Sequence, residues 1–305
     1  METLLLIDGN AIMHRAYHAF PPFTAKDGTP IHVVYGYISM LQKVINDFKP
    51  AYLMSCFDTP KPTFRNELYK DYQIQRPKID DDFIIQIPLV KEALDEAGVA
   101  RMEKDGFEAD DLIGTVARVF DGHQFRVIIL TGDKDIFQLI NDNVFVASPQ
   151  LGLANIKLFD KTEVEQKLDI PPSHIIDYKA LSGDPSDNYP GARGIGPKTA
   201  AKLIRDYGTV DNIYKNISSI QSDKIRAILG KEKDNVYLSL KLATIMTDVE
   251  IDLDIEKLKF SGFNKKLKTY LEKYQMNSLV ARIFNEKPQT KKEVSKTKND
   301  QMGLF

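Results

Sequence analysis

Short apolar runs that each end in carboxylates constrain this chain more than any other feature. Leu4–Ile7 runs into Asp8-Gly9-Asn10, Ala51–Phe57 runs into Asp58, and Arg126–Leu130 is followed by Asp133 and Asp135. A run that stays apolar at consecutive positions suits a strand buried on both faces, as in a parallel sheet. Helical periodicity fills the intervals: Val34, Ile38, Leu41, Val44 and Ile45 within 33–48, then Ile84, Ile87, Val90 and Leu94 within 83–97, closed by Gly98. Strands alternating with helices predict an α/β fold built on a mostly parallel sheet. The carboxyl ends of its strands share one edge, where open α/β sheets place their sites. A lone Asp after a strand is usually a turn residue. Three strands that run into carboxylates at one edge argue for more. Val144–Ala147 and Asn155–Leu158 read as edge strands, Lys161–Leu168 and Asn235–Ile245 as helices, and Phe263–Phe284 as one amphipathic stretch.

The densest acidic region lies between Gly106 and Leu139. There G-F-E-A-D-D-L-I sets Glu108, Asp110 and Asp111 at the start of a predicted helix, and L-T-G-D-K-D sets Asp133 and Asp135 beyond a predicted strand. Any one of these acids alone is an ordinary helix cap or dipole partner. Brought together they repel, and the cluster is costly unless cations neutralise it. Oxygen-only ligands of this kind suit Mg²⁺ or Mn²⁺.

A chain of 305 residues, 43% apolar, holds one large or two modest domains. Its net charge of −2 offers no global attraction to a polyanion, so a nucleic-acid surface requires basic residues gathered on one face. The single cysteine, Cys56, excludes an internal disulfide framework and sits in an apolar run. The start M-E-T-L-L-L-I-D does not read as a signal peptide, and no window reaches the length of a membrane span. The expectation is a soluble cytoplasmic protein.

In 61–82, Lys61, Arg65, Lys70, Arg76 and Lys78 interleave with Phe64, Tyr69 and Tyr72, and Pro60, Pro62 and Pro77 bracket the stretch. Bases among aromatics suit a surface for single-stranded nucleic acid; a solvated amphipathic helix is the competing reading. Further on, Asp184 and Asp187 precede G-A-R-G-I-G-P-K-T-A-A-K, with Gly191, Gly194 and Gly196 around Ile195. A glycine hairpin that feeds a helix N-terminus offers backbone N–H groups to a phosphate, and Arg193, Lys198, Lys202 and Arg205 add positive charge. The spacing is not that of a dinucleotide fingerprint. After Asn285 the composition turns polar and lysine-rich, which predicts a disordered tail over 285–305, yet the chain ends in the apolar tip Q-M-G-L-F.

These blocks, in this order, closely resemble the 5′-nuclease domain of bacterial DNA polymerase I, a member of the flap endonuclease family. L-L-I-D-G-N with Arg15, F-D with F-R-N-E-L-Y, G-F-E-A-D-D-L-I, L-T-G-D-K-D and L-S-G-D-P-S-D-N-Y-P-G-A-R-G-I-G-P-K-T-A carry the resemblance, over about residues 3 to 284. It implies a Rossmann-like (PIN-like) nuclease core over 1–172, with a helical gateway at about 60–85. It implies a helix–hairpin–helix (helix–three-turn–helix) DNA-binding region with further helices over 173–284. The family's metal ligands carry over to Asp8, Asp58, Glu108, Asp110, Asp111, Asp133, Asp135, Asp184 and Asp187, all acidic here. The first four would hold the ion nearest the scissile phosphate and the others a second.

By the same resemblance Arg15, Arg65 and Arg76 act on the phosphate, and Lys61, Tyr72, Gln73, Gly191, Gly194, Ile195, Gly196, Lys198, Thr199 and Lys202 contact DNA. The hairpin holds K⁺. The implied activity is that of a two-metal 5′-3′ exonuclease and 5′-flap endonuclease, monomeric and nucleoid-associated, acting on flaps, nicks and gaps. Two features depart from the polymerase pattern. No polymerase domain follows residue 284, and Gln73 stands where the family usually has a lysine. The ending resembles the Q-x-x-L-F peptide presented to the bacterial sliding clamp, through Gln301, Leu304 and Phe305. The histidines lie away from the acidic blocks along the chain. Two other functions stay open: a catalytically weak DNA-binding factor tethered to the clamp, which Gln73 favours, and an RNA-cutting nuclease of the related PIN-like group, which leaves the glycine hairpin without a role.

Overall fold

The computed structural model describes residues 1–76, 78–121, 125–150 and 155–285. The readings for the tail, including Gln301, Leu304 and Phe305, lie outside the described residues. The elements run β1 (Glu2–Asp8), α1 (Gly9–Ala19), α2 (His32–Phe48), β2 (Tyr52–Phe57), α3 (Phe64–Leu68), α4 (Asp81–Ala97), β3 (Ala100–Glu103), α5 (Ala109–Asp121), β4 (Phe125–Leu130), β5 (Val144–Pro149) and β6 (Ile156–Phe159). The helical part follows: α6 (Lys161–Leu168), α7 (Ile175–Ser182), α8 (Pro197–Tyr207), α9 (Val210–Lys215), α10 (Asp223–Lys231), α11 (Lys233–Ala243), α12 (Lys265–Lys273) and α13 (Asn277–Phe284).

The six strands form one sheet in the order β3-β2-β1-β4-β5-β6, parallel except for the last pair. β1 lies at the centre. Its Leu4 and Leu6 pack with α5 on one face, and Leu5 and Ile7 pack with α1, α2, α4, α12 and α13 on the other. All four are fully buried, which is why the run is apolar at every position rather than at alternate ones. The register pairs Asp8 with Cys56 across β1–β2 and Ile7 with Leu130 across β1–β4. Asp8, Asp58 and the 131–135 loop therefore leave the sheet at one edge.

Several readings change. β3 has no continuous apolar run because it is a half-exposed edge strand, A-R-M-E, and so went unseen. β5 is interior, between β4 and β6, and only β6 closes the sheet on that side. The stretch 263–284 is two helices. It breaks at Gln275, whose φ of 59° ends α12, and the Met276 N–H reaches back to the Leu271 carbonyl at 2.8 Å. The stretch 61–82 is neither one helix nor an open strand-binding face. The five-residue α3, capped by Thr63 and Asn66, is followed by tight turns through Arg76.

The glycine hairpin precedes α8 as expected. Gly191 turns with φ 57°, and a Cβ there would meet the Gly183 nitrogen at 2.2 Å and the Leu181 carbonyl oxygen at 2.7 Å. Its N–H donates to Ser239 Oγ at 3.0 Å, which ties the hairpin to α11. Gly191→Ala is therefore expected to destabilise the protein by about 2–4 kcal/mol, through left-handed strain and backbone overlap together. Thermal or urea unfolding of the variant beside the wild type measures this.

Candidate active site

The sheet's carboxyl edge assembles an inner group of acids. Asp8 ends β1 and caps α1: its Oδ1 accepts the Ala11 N–H at 2.9 Å and its Oδ2 accepts the Thr131 hydroxyl at 2.7 Å. Asp58 follows β2 and accepts the Ala109 N–H at 2.7 Å, which anchors the start of α5. Its own N–H donates to Asn10 Oδ1 at 3.1 Å. These acids therefore cap helices and also face one another. Burial pushes the Asp8 carboxyl up to about 7, and the negative charges of Asp58 and Asp133 add to the shift against its hydrogen bonds from Thr131 and Ala11. Burial likewise raises Asp110 well above the usual carboxylate range, with Asp8, Asp133, Glu108 and Asp58 all contributing. Glu108 rises to about 7, chiefly by burial, although Arg65 pulls the other way. Asp58 is raised by burial as well. Asp133 opens to the cleft, yet the surrounding protein desolvates it and raises it, with Asp187 and Asp184 adding.

An outer group adjoins the inner one. Asp135, Asp184 and Asp187 each offer an oxygen, all within 4.8 Å of one another. Lys179, from α7, pairs with Asp135 and with Asp184, the latter at 2.5 Å. Burial alone would raise Asp184, but Lys179 and the hydrogen bonds from Ser186 outweigh it and hold the carboxyl below its usual value. Arg76 pairs with Asp187 at 2.7 Å, and the Tyr72 hydroxyl donates to the same carboxylate at 3.2 Å. A cleft of about 880 Å³ opens onto this group. Arg15 and Arg76 line it.

Both groups consist of carboxylate oxygen alone, and the inner one holds several acids whose ionised form is disfavoured where it stands. That donor set fits hard divalent cations, which supply the missing positive charge.

Four expectations need correction. Asp111 is fully buried and its oxygens are committed: Arg65 donates to both, at 2.7 and 2.9 Å, and the N–H groups of Glu108 and Met246 add 3.1 and 2.8 Å bonds. It has no lone pair facing the cluster and is a structural anchor rather than a ligand. Arg65 is only 2% exposed, and it also donates to the carbonyls of Leu242 and Thr244, so its guanidinium is taken up inside the protein. It orders Glu108 from 3.3 Å instead. Tyr72 is 4% exposed, its hydroxyl turned to Glu108 and Asp187, and offers no face for stacking a base. The histidines are not all remote, since His14 and His18 on α1 line the cleft beside Asp133. A helix that starts at the sheet edge runs along the cleft, which linear distance conceals.

Among the DNA-contact residues, Lys61 is held at the surface by Asp105 at 2.5 Å. Gln73, with φ 57°, donates its backbone N–H to the Asp187 carbonyl at 3.0 Å. Gly194, Gly196, Lys198 and Lys202 are exposed and Thr199 is half-buried, whereas Gly191, turned to Ser239, and Ile195 are buried and pin the hairpin. Lys202 pairs with Asp206 at 2.8 Å. Lys179 and Thr131 were missed. The signal for Lys179 was a lone cation in the helix that leads to Asp184.

Residues 3–169 match the family model described as 5′-3′ exonuclease, N-terminal resolvase-like domain, and residues 170–266 the 5′-3′ exonuclease, C-terminal SAM fold. The chain is 40% identical over 293 residues to a 5′-3′ exonuclease of Aquifex aeolicus, covering 95% of this chain and 99% of that one. It is 34% identical over 295 residues to DNA polymerase I of Bacillus subtilis, covering 96% of this chain but 34% of the polymerase. Among solved structures, a bacteriophage T5 flap endonuclease in a pseudo-enzyme–product complex with DNA and metal ions superposes with a TM-score of 0.67 at 21% identity, covering 90% of this chain and 100% of that one. The catalytic core of Rad2 in complex with DNA substrate superposes at 0.59 and 15% identity, covering 92% and 93%.

Two outcomes follow from this geometry. Arg65→Ala leaves Asp111 charged and unpaired in the core and is expected to cost about 3–5 kcal/mol of stability, with an Arg65→Met/Asp111→Leu pair recovering part of it in chemical denaturation. A carboxyl whose folded pKa exceeds its unfolded value binds more protons when folded, so stability is present below about pH 4 and is lost as pH rises toward 7. For Asp8 and Glu108, both raised to about 7, the loss between pH 5.5 and 7.5 is roughly 1–2 kcal/mol each. The chelator-treated protein should melt lower at pH 7.5 than at pH 5.5, and divalent ions should restore the difference at pH 7.5; differential scanning calorimetry reads both.

Proposed function

This chain belongs to the 5′-3′ exonuclease family, and on that premise we propose that it hydrolyses phosphodiesters at 5′ ends and 5′ flaps of DNA with divalent cations. Nicked and gapped duplexes, and RNA primers annealed to DNA, complete the substrate class. The observation that carries the reading is the convergence of Asp8, Asp58, Glu108, Asp110 and Asp133 at one sheet edge, with the carboxyls raised in pKa.

Mg²⁺ or Mn²⁺, two or more per site, are the proposed cofactors. Asp8, Asp58, Glu108 and Asp110 would hold one and Asp135, Asp184 and Asp187 another, with Asp133 lying between the two groups. Such ions supply Lewis-acid activation of water and neutralise charge on the phosphodiester. The chain's own residues do the rest. Thr131 and the Ala11 N–H orient Asp8, while the Ala109 N–H orients Asp58. Arg65 orients Glu108 and holds the base of the 60–76 segment against α5. Arg15 and Arg76 sit on the cleft wall, where a phosphate of the cut strand passes. Arg76 keeps a cation beside Gln73, on the turns that bond to Asp187.

The exposed hairpin at Gly194–Lys198 and the first turn of α8 would bind duplex backbone away from the cut, with K⁺ at the hairpin. We propose that the protein acts as a monomer in the cytoplasm, at the nucleoid. The terminal peptide with Gln301, Leu304 and Phe305 is its proposed contact with the sliding clamp. No helix among the described residues is long and apolar enough to cross a membrane.

A fluorescent 5′-flap duplex with Mg²⁺ tests the reading. The wild type should release the flap, and Asp133→Ala should cut at least about a hundredfold more slowly, as expected when a preorganised electrostatic contact is removed, while still retarding the duplex in a gel. A mutant that cuts at the wild-type rate would falsify the assignment.

A further inference from the structure

The outer carboxylates already carry counter-ions from the chain itself. Lys179 bridges Asp135 and Asp184, and Arg76 holds Asp187. Three negative charges thus share two positive ones, which leaves this group close to balanced, unlike the inner group. A divalent cation entering here meets oxygens already committed to Lys179 and Arg76. Once it binds, the group and its two cations together carry net positive charge, and a phosphate restores the balance.

Resting on the nuclease reading above, we propose that Lys179 and Arg76 are exchangeable counter-ions of Asp135, Asp184 and Asp187. They hold the charge of this group until a divalent ion replaces them, and then turn to the phosphates of the cut strand. Both side chains line the 880 Å³ cleft, so the turn needs no change in the fold. Arg76 keeps about half of its side chain exposed, and Lys179 stands in the last turn of α7, ahead of Asp184 in the loop that follows, on a long unbranched stem. On this account the charge of Lys179 sets the order of assembly. Because each binding event relieves the cost of the other, cation and DNA must strengthen each other's binding reciprocally.

The test is a Mn²⁺ titration of the full-length protein, read by the electron paramagnetic resonance signal of the free ion. It is run with and without a flap duplex carrying a phosphorothioate at the cut site. In the wild type, DNA should tighten the weaker class of Mn²⁺ sites. Lys179→Met should tighten that class about tenfold without DNA, the effect of removing one positive charge a few ångströms from the ion in a water-open cleft. The further gain from DNA should shrink. Arg76→Gln, at a more exposed side chain where folding is not at stake, should move Mn²⁺ affinity the same way, and Lys179→Arg should behave as the wild type. If both charge-removing variants bind Mn²⁺ in the absence of DNA no more tightly than the wild type does, the counter-ion role is overturned while the nuclease reading stands. A wild type that binds no Mn²⁺ with or without DNA overturns both.

Discussion

Electrostatic repulsion among acids at the carboxyl edge of the sheet is the constraint to which the rest of the molecule answers. The parallel arrangement of β1, β2 and β4 brings Asp8, Asp58 and the 131–135 loop to one edge, whatever their distance along the chain. Nothing in a hydrophobic core favours that convergence; the core only makes it unavoidable. Leu4, Leu5, Leu6 and Ile7 are fully buried between two helical layers, so β1 cannot slip in register without exposing apolar surface on both faces. The energy that packs the sheet thus holds Asp8 where its ionised form is disfavoured.

The same constraint explains the hydrogen bonds around the acids. A carboxylate held near others in a poorly solvated place needs fixed donors, and here helix N-termini and loop hydroxyls provide them. Asp8 caps α1, Asp58 accepts from the start of α5, and Thr131 links Asp8 to the Asp133 backbone through 2.7 and 2.9 Å bonds. The capping reading and the ligand reading of these acids, which compete on sequence alone, are compatible in one carboxylate: Asp8 accepts one bond at each oxygen and keeps a further lone pair on each. A cap uses one lone pair; others still face the cluster. Asp111 marks the limit of that logic, since Arg65 and two backbone N–H groups take both of its oxygens and leave it no second role. The Arg65–Asp111 pair joins α3, α5, the end of α11 and the segment at 244–246 that follows it, so it works as a rivet between the nuclease sheet and the helical part.

Much of this was legible in the sequence because burial on both faces leaves an unbroken apolar signature, and because acids after such runs must share an edge. What was not legible has physical causes. β3 is an edge strand with alternating exposure, too short to stand out from a loop. Arg65 reads as a phosphate ligand when it is seen as one cation in a basic, aromatic stretch; only three-dimensional packing shows its guanidinium facing inward. Tyr72 is similar, a ring whose place depends on turns that Gln73 and Arg76 make rather than on any periodicity. His14 and His18 enter the cleft because α1 starts at Asp8 and runs along its wall, which spacing from the nearest acidic motif does not reveal.

The two acidic groups differ in how the fold balances them, and that difference orders their chemistry. Asp8 and Asp58 are held by neutral donors, a hydroxyl and backbone N–H groups, whereas Arg65 stands beside Glu108 and the charges of Lys179 and Arg76 reach Asp133. Hydrogen bonds of that kind orient a carboxylate without cancelling its charge, so Asp8, Asp110 and Glu108 stay raised. The outer group is held by cations: Asp184 lies below its usual value because Lys179 stands against it. An arriving divalent ion therefore gains most beside Asp8, Asp58 and Asp110, where no ion pair among the described residues must break. At the outer group it gains only the difference between its own charge and the charge it displaces. One sheet edge thus presents a strong site and a weaker neighbour built from the same residue type, and the contrast comes from which partners the helices supply.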